Sequence, residues 1–289
     1  MTAIALTIAG SDSSGGAGVQ ADLKTFAALG VYGASAITAL TAQNTQGVTG
    51  IHDVPADFVA AQIDAVFADL DVGAVKIGML SQAAIVETVA AALDRHGAEN
   101  VVLDPVMVAS SGDRLLAPEA VDAVRRLLIP RARVITPNLP EAALLLDTQV
   151  ARDETEMEAQ ARALIDRFDA QAVLIKGGHG ESTESVDLLV RQGGATRFAE
   201  KRIATKNTHG TGCTLSSAIA AGLAKGLDLT AAVGVAKAYV TAAIAGADKL
   251  NVGHGHGPLH HFVEYAHDPE KWEPIFGADH AQGKGRNDA

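Results

Sequence analysis

Six short apolar runs in this chain each end in a polar or glycine-bearing segment. The segments are GSDSSGGAG, TAQN, KIGM, DPVM, TPNLPE and KGGHG. Stretches with helical apolar spacing lie between them. A short apolar run closed by turn residues reads as a buried strand, and strands alternating with helices predict a mostly parallel sheet covered on both faces. Strands are predicted over residues 3–9, 32–41, 48–54, 74–77, 101–103, 134–135 and 172–175, and a hairpin over 186–203 turns at Gln192, Gly193 and Gly194. Helices are predicted over 19–29, 55–70, 82–95, 118–128, 140–146, 154–168, 211–225 and 229–250. Ligands of open parallel sheets bind beyond the carboxyl ends of the strands. The six polar segments therefore gather on one edge.

The stretch 207–217, NTHGTGCTLSS, runs from polar and glycine residues straight into a helical pattern. Backbone N–H groups of Gly210, Thr211, Gly212 and Cys213 are expected to face an anion, with the positive end of the helix dipole behind them. The same dipole is expected to lower the pKa of Cys213, which could then take the proton of a substrate hydroxyl; the plainer reading is a small buried apolar residue. Asp104 ends a strand and precedes a proline, and Glu141 lies at a helix start. Together they offer a hard cation oxygen ligands, although each could equally cap a turn or a helix. Lys176, followed by Gly177 and Gly178, can bring a point charge to phosphates, and Asn138 can orient a phosphate or a metal-bound water. Thr208, at the start of the glycine turn, is grouped with these nucleotide contacts. Asp12 and Gln43 are placed in strand-end loops, and the Gln43 amide can read an aminopyrimidine edge with donor and acceptor together. Met79 and Val106 are apolar strand-end residues that could line a ring pocket or simply pack in the core.

Other motifs fail. GGAGVQA has the spacing of a dinucleotide fingerprint, but the next strand ends in TAQN without the acid that would hold a ribose. No GxxxxGK[ST] occurs, and the tail's Gly283-Lys284 lacks the remaining residues. Four histidines in HGHGPLHH have no acid or cysteine beside them, which favours a loop facing the core over a metal site. The net charge of −11 and the aromatic content of 4% argue against nucleic acid or an anionic membrane as partner. A single cysteine excludes an internal disulfide and a thiolate zinc cluster. The apolar N-terminal run is short and has no basic residues before it, so the expected location is the cytoplasm. One domain is expected over residues 1–266, followed by a polar extension over 267–289.

The segments AGSDSSGGAGVQADLKTF, TALTAQNTQGV, KIGMLS, VVLDPVMVASSG, TPNLPEAALLL, VLIKGGHG and NTHGTGCTLSSAIAAGLAKG occur in one order. This series closely resembles the bacterial hydroxymethylpyrimidine/phosphomethylpyrimidine kinases of thiamine biosynthesis, within the ribokinase-like superfamily. The resemblance runs from about Ala3 to His261. It implies a three-layer α/β/α fold and a homodimer. It also implies ATP-dependent phosphorylation of 4-amino-5-hydroxymethyl-2-methylpyrimidine, followed by a second phosphorylation to the diphosphate. Mg²⁺ is implied with ATP, and a monovalent cation is admitted. Gln43 would bind the pyrimidine with Asp12 and Met79 nearby, Lys176 and the TPNLPE loop would serve ATP and Mg²⁺, and the GTGC turn would be the anion hole. Many ribokinase-like enzymes carry Asp as the base where this chain has Cys213, and the family often has Pro where this chain has Ser13. A pyridoxal kinase of the same fold, a sugar kinase and a non-catalytic pyrimidine-binding protein are the alternatives.

Overall fold

The computed structural model describes residues 1–107, 116–178 and 183–263. The VASSG segment, His179–Gly180 of KGGHG and the predicted extension over 267–289 lie outside the described residues. Among the described residues ten strands form: β1 (Ile4–Ala9), β2 (Tyr32–Ile37), β3 (Ala39–Asn44), β4 (Gly47–Asp53), β5 (Ala74–Ile77), β6 (Val101–Leu103), β7 (Val134–Ile135), β8 (Val173–Lys176), β9 (Glu184–Arg191) and β10 (Gly194–Lys201). Eight form one sheet in the order β10-β9-β8-β7-β6-β5-β1-β2. From β2 to β8 the pairs are parallel; β9 and β10 close the edge as an antiparallel hairpin.

Among the described residues eight helices cover both faces: α1 (Gly18–Ala28), α2 (Ala56–Phe67), α3 (Ala83–His96), α4 (Pro118–Ala123), α5 (Leu139–Leu146), α6 (Glu154–Phe168), α7 (Thr211–Ala224) and α8 (Leu229–Ala245). Strand pleating divides the core in two. Leu6, Val75, Val101, Leu103 and Ile135 face α2 to α6. Ala5, Ala74, Val102, Val134 and Leu174 face α1, α7 and α8. The fold is therefore the three-layer α/β/α arrangement that the resemblance implies. Together, α8 and the short turn after it, Leu229–Lys249, are long and apolar enough to cross a membrane, but half of that stretch is buried. Ala232, Val233, Ala236, Val240 and Ala243 of α8 pack in the second core, which makes it a core helix.

Two elements differ from the sequence reading. The single strand expected over 32–41 is two strands. Thr38 breaks it, its N–H donating to Ala9 O (3.0 Å) and its Oγ1 to Met79 O (2.8 Å). β2 stays in the main sheet, while β3 leaves to pair only with β4. Gln43 accordingly lies on β3 and not in a loop. The helix expected over 118–128 is α-helical only to Ala123, then widens into a π turn over Val124–Leu128 and tightens into a 3₁₀ turn over Ile129–Arg131. Pro130 has no N–H to continue an α-helical ladder.

Candidate active site

The carboxyl ends of β1, β5, β6, β7 and β8 lie beside the N-terminus of α7. Asp104 follows β6 and is 1% exposed. Its Oδ1 accepts from Lys176 Nζ at 2.9 Å and Thr136 Oγ1 at 3.1 Å, and its Oδ2 from Ser216 Oγ at 3.2 Å. Burial raises the Asp104 pKa, but the charges of Lys176 and Lys76 outweigh it and the carboxyl stays below its usual value. The Lys176 ammonium is held above its ordinary value, its burial outweighed by Asp104 and Glu141. A side chain added at Gly212 would point its Cβ at this pair, 3.2 Å from Lys176 Nζ and 3.6 Å from Asp104 Oδ2. The helix N-terminus thus opens directly onto the ion pair.

That N-terminus depends on Gly210. Its φ of +83° is left-handed, and a Cβ there would overlap the Gly16 carbonyl. No side chain caps α7. The Thr211 N–H is already given to Thr208 O at 3.2 Å, so it is not free for an anion, contrary to the sequence reading. The Gly212 and Cys213 N–H groups have no protein acceptor among the described residues. The Gly210 N–H likewise has no protein acceptor there, and these donors, with the helix dipole behind them, form a candidate cradle for an anion.

The expected lowering of the Cys213 pKa is also corrected. Burial pushes the thiol up to about 11. The positive charge of Lys76 opposes this, the negative charges of Asp22 and Asp104 add to it, and the Gly18 N–H offsets it slightly. At neutral pH Cys213 is a thiol. Sequence gives the helix start but not the buried carboxylates behind it.

Asn138 and Glu141 form a reciprocal cap at the start of α5. Glu141 N donates to Asn138 Oδ1 at 2.9 Å and Asn138 N to Glu141 Oε2 at 2.8 Å. Burial raises the Glu141 carboxyl to about 7, Lys176 opposing the shift and Asp104 adding to it. A buried carboxyl that one lysine neutralises only in part favours a further positive charge. Asp104 and Glu141 supply oxygen alone, and Oδ2 of Asp104 accepts only from Ser216 among the described residues. This donor set fits Mg²⁺ held largely by water and phosphate. No cluster of three or more His, Cys, Asp or Glu side chains able to hold a metal occurs among the described residues.

A second group surrounds the loop after β1. Asp12 is 1% exposed, and its carboxylate accepts from five donors: Ser14 N, Ser14 Oγ, Gly16 N, Ala17 N and His209 Nε2. Although burial alone would raise the Asp12 pKa, these bonds, led by His209, hold it at about 2. The carboxylate expected to lie with the substrate is turned into its own loop. Ser13 Oγ donates to Gln43 O and accepts from Gln43 N, both at 2.8 Å. Gln43 Oε1 accepts from Thr41 Oγ1 at 3.1 Å, and its amide N–H groups have no protein acceptor among the described residues. Met79 is buried at the end of β5, with its sulfur 3.1 Å from where a Gly10 Cβ would lie. Val106 is half-buried after β6, and Thr208 is exposed. The His209–Asp12 bond, 2.7 Å, and the Gly16–Gly210 contact join this group to the α7 cradle.

Sequence reasoning missed His209, Thr136, Ser216 and the Lys76–Asp22 pair. Only His209 carried a signal, lying beside the glycine turn. Of the terminal histidines, His261 is buried, accepts or donates at Thr214 Oγ1 (3.1 Å) and is lowered to about 4 by burial and neighbouring Lys24 and His260.

A family model described as phosphomethylpyrimidine kinase matches residues 12–260. A hydroxymethylpyrimidine/phosphomethylpyrimidine kinase of Rhizobium meliloti is 60% identical over 262 residues, 91% of this chain and 98% of that protein. A thiamine biosynthesis bifunctional protein of Geobacter sulfurreducens is 51% identical over 258 residues, 89% of this chain and 52% of that protein. Among solved structures, the ADP complex of Bacillus subtilis pyridoxal kinase superposes with a TM-score of 0.85 at 38% identity, covering 92% of this chain and 100% of its own.

Proposed function

The chain belongs to the phosphomethylpyrimidine kinase family, and from that premise we propose how its residues perform the family's phosphoryl transfer. The enzyme phosphorylates 4-amino-5-hydroxymethyl-2-methylpyrimidine from ATP, then phosphorylates the monophosphate to the diphosphate, in thiamine diphosphate biosynthesis. Transfer runs in line, through a loose transition state whose charge spreads over the oxygens of the moving group. Positioning and charge stabilisation then do most of the catalysis. The observation that carries this reading is the Lys176–Asp104 pair lying against the open N-terminus of α7.

The Gly212 and Cys213 N–H groups hold the transferred group's oxygens, and Lys176 neutralises charge on the phosphates. Asp104 keeps Lys176 aimed, and Thr136 and Ser216 keep Asp104 aimed. Asn138 and Thr208 contact the nucleotide. Asp104 and Glu141 would hold Mg²⁺ through water, and the ion supplies charge to the phosphate oxygens. Gln43 presents its amide to the pyrimidine, with Met79 and Val106 against the ring; Asp12 shapes the loop that supports Gln43. Cys213, once its own proton has passed to solvent, takes the hydroxyl proton late as the thiolate. Because the thiol stands at about 11 in the free protein, this role requires added positive charge nearby to bring it down. The enzyme works in the cytoplasm as a homodimer.

Incubation with ATP, Mg²⁺ and hydroxymethylpyrimidine should give the mono- and then the diphosphate, resolved by chromatography. The likeness to a pyridoxal kinase makes pyridoxal the competing acceptor. A higher kcat/KM on pyridoxal would overturn the substrate assignment, and ATP consumption independent of either alcohol would overturn the kinase assignment.

A further inference from the structure

We propose that residues 253–257, the GHGHG segment, form a strap closing a hydrogen-bonded ring that holds Gln43 and the α7 cradle in one frame. The strap thereby positions the acceptor. This inference rests on the acceptor side of the site being the one assigned above.

The ring can be followed bond by bond. Ser13, in the loop after β1, clamps both backbone polar groups of Gln43 on β3. Two residues on, Thr45 forms the tip of the β3–β4 hairpin. Its Oγ1 accepts from Gly255 N at 3.1 Å, and its carbonyl from His256 N at 2.9 Å. The strap then turns to the segment before α7. Gly257 N donates to Asn207 Oδ1 at 3.0 Å, and His209 N donates to Gly257 O at 3.1 Å. His209 Nε2 returns to Asp12, one residue from Ser13. No link in this circuit passes through the main sheet.

The strap's glycines answer to these contacts. A Cβ at Gly255 would overlap the Thr45 carbonyl, and one at Gly257 would overlap the Asn207 side chain. A Cβ at Gly253, whose φ is +73°, would overlap the Thr45 side chain. Such contacts demand glycine only if the strap must lie tight on both neighbours. The need for it follows from the topology. β3 and β4 pair with each other alone, and an isolated two-stranded ribbon is marginal in water. Gln43 sits near the end of that ribbon. Without the strap, Gln43 would be tied to the cradle from one side only, through Ser13, Asp12 and His209, and a displacement on the order of 1 Å of a bound reactant can cost about 10²-fold in rate. Thr45 and the strap are positioning residues, since they act through Gln43 and the cradle.

The test compares wild type with Thr45→Val, Thr45→Ser and Gly255→Ala in steady-state assays with ATP and either hydroxymethylpyrimidine or pyridoxal. Valine removes one acceptor and keeps the shape. It should raise the acceptor KM about threefold to tenfold, the loss of one hydrogen bond, and leave the ATP KM within twofold. Serine restores the oxygen and should restore the acceptor KM. Gly255→Ala should raise the acceptor KM by at least about tenfold with a cooperative thermal transition; if that variant does not fold, Thr45 alone decides. An unchanged acceptor KM in Thr45→Val, or an ATP KM rising in step with it, would refute the ring. Wild-type turnover of pyridoxal alone would refute the substrate assignment, and the valine–serine contrast read on pyridoxal would still decide the ring.

Discussion

Replacing Gly212 by alanine separates the demands of the fold from those of the reaction. Gly212 is the second residue of α7, and its φ lies outside the left-handed region. Alanine is therefore compatible with the backbone and favoured in a helix over glycine by up to about 1 kcal/mol. The added methyl meets only Lys176 Nζ at 3.2 Å and Asp104 Oδ2 at 3.6 Å. The first is the far end of a flexible side chain and can withdraw by a few tenths of an ångström. Folding should consequently be unchanged or slightly strengthened. Activity should not survive so well, because the methyl sits between the helix start and the Lys176–Asp104 pair, where the phosphoryl group is proposed to lie. Losing one preorganised oxyanion donor costs about 2.7–4 kcal/mol, or about 10²–10³ in kcat. A coupled assay for ADP release, run with urea denaturation on the same preparation, reads both quantities. The expected result is a kcat at least about 10² lower at equal or greater stability. A Gly212→Ala enzyme within about threefold of wild-type kcat would mean that the phosphoryl group does not sit at this helix start.

Cys213→Ala should lower kcat by about 10²–10⁴ while ATP binding by calorimetry is unchanged; near-normal turnover would remove the base role. With the free thiol at about 11, wild-type kcat/KM should climb with pH above neutrality, and the alanine variant should lose that climb. Glu141, raised to about 7 by burial, is favoured by the fold in its neutral form. Its contribution to stability is full below the ordinary glutamate range and is lost as pH rises through about 7. Glu141→Gln should therefore raise the melting temperature at pH 8 and raise the Mg²⁺ concentration for half-maximal rate about tenfold; no change in the Mg²⁺ titration would exclude a metal role. Asp12, held at about 2, contributes stability that is present above the ordinary aspartate range and lost as pH falls through about 2. Asp12→Asn brings an NH₂ where His209 or the loop N–H groups now donate, and should cost about 2–4 kcal/mol in urea denaturation; a loss under about 0.5 kcal/mol would refute its role in organising the loop.

Local sequence pattern specified the sheet well because each short apolar run is bounded by its own turn residues. β5, β6 and β7 lie where the apolar runs place them. The pattern failed at Thr38. An uninterrupted apolar-and-small run over 32–41 cannot show that one hydroxyl bonds across to the neighbouring strand end and sends the chain into a second sheet. For the site, strand-end position brought Asp104, Lys176, Asn138 and Glu141 together without knowledge of distances. The thiol of Cys213 was misjudged because its pKa depends on Asp22 and Asp104, which lie 191 and 109 positions away along the sequence. Asp12 looked like a free loop carboxylate, and its principal partner, His209, is 197 residues distant. Groups whose chemistry is set by contacts between remote segments carry no mark in their own neighbourhood.

The buried charge around the site follows one plan. Lys76 and Asp22 pair at 2.8 Å, both wholly buried; Thr7 Oγ1 and Ser217 Oγ donate to Asp22 at 2.6 and 2.7 Å. Thr7 and Lys76 are register partners on β1 and β5, Asp22 lies on α1, and Ser217 lies one turn beyond Cys213 on α7. Asp187 on β9 pairs with Lys237 on α8 at 2.7 Å and accepts the Gly177 N–H at 3.1 Å, directly after Lys176. With Lys176–Asp104, whose lysine is half-buried, three lysine–aspartate pairs among the described residues each bond to a residue that leads into the site or to the helix behind it. Apolar residues of similar volume would often serve stability as well or better, because desolvating two charges costs about as much as their attraction returns. What the pairs add is direction. Lys76–Asp22 and Lys237–Asp187 each fix a strand against a helix, and Lys176–Asp104 fixes two strand ends against each other, through bonds that tolerate little displacement, whereas apolar packing permits sliding. An in-line transfer catalysed by positioning needs that constraint at the floor of the site more than it needs additional stability. The apolar core can be left to the layers farther from the reacting atoms.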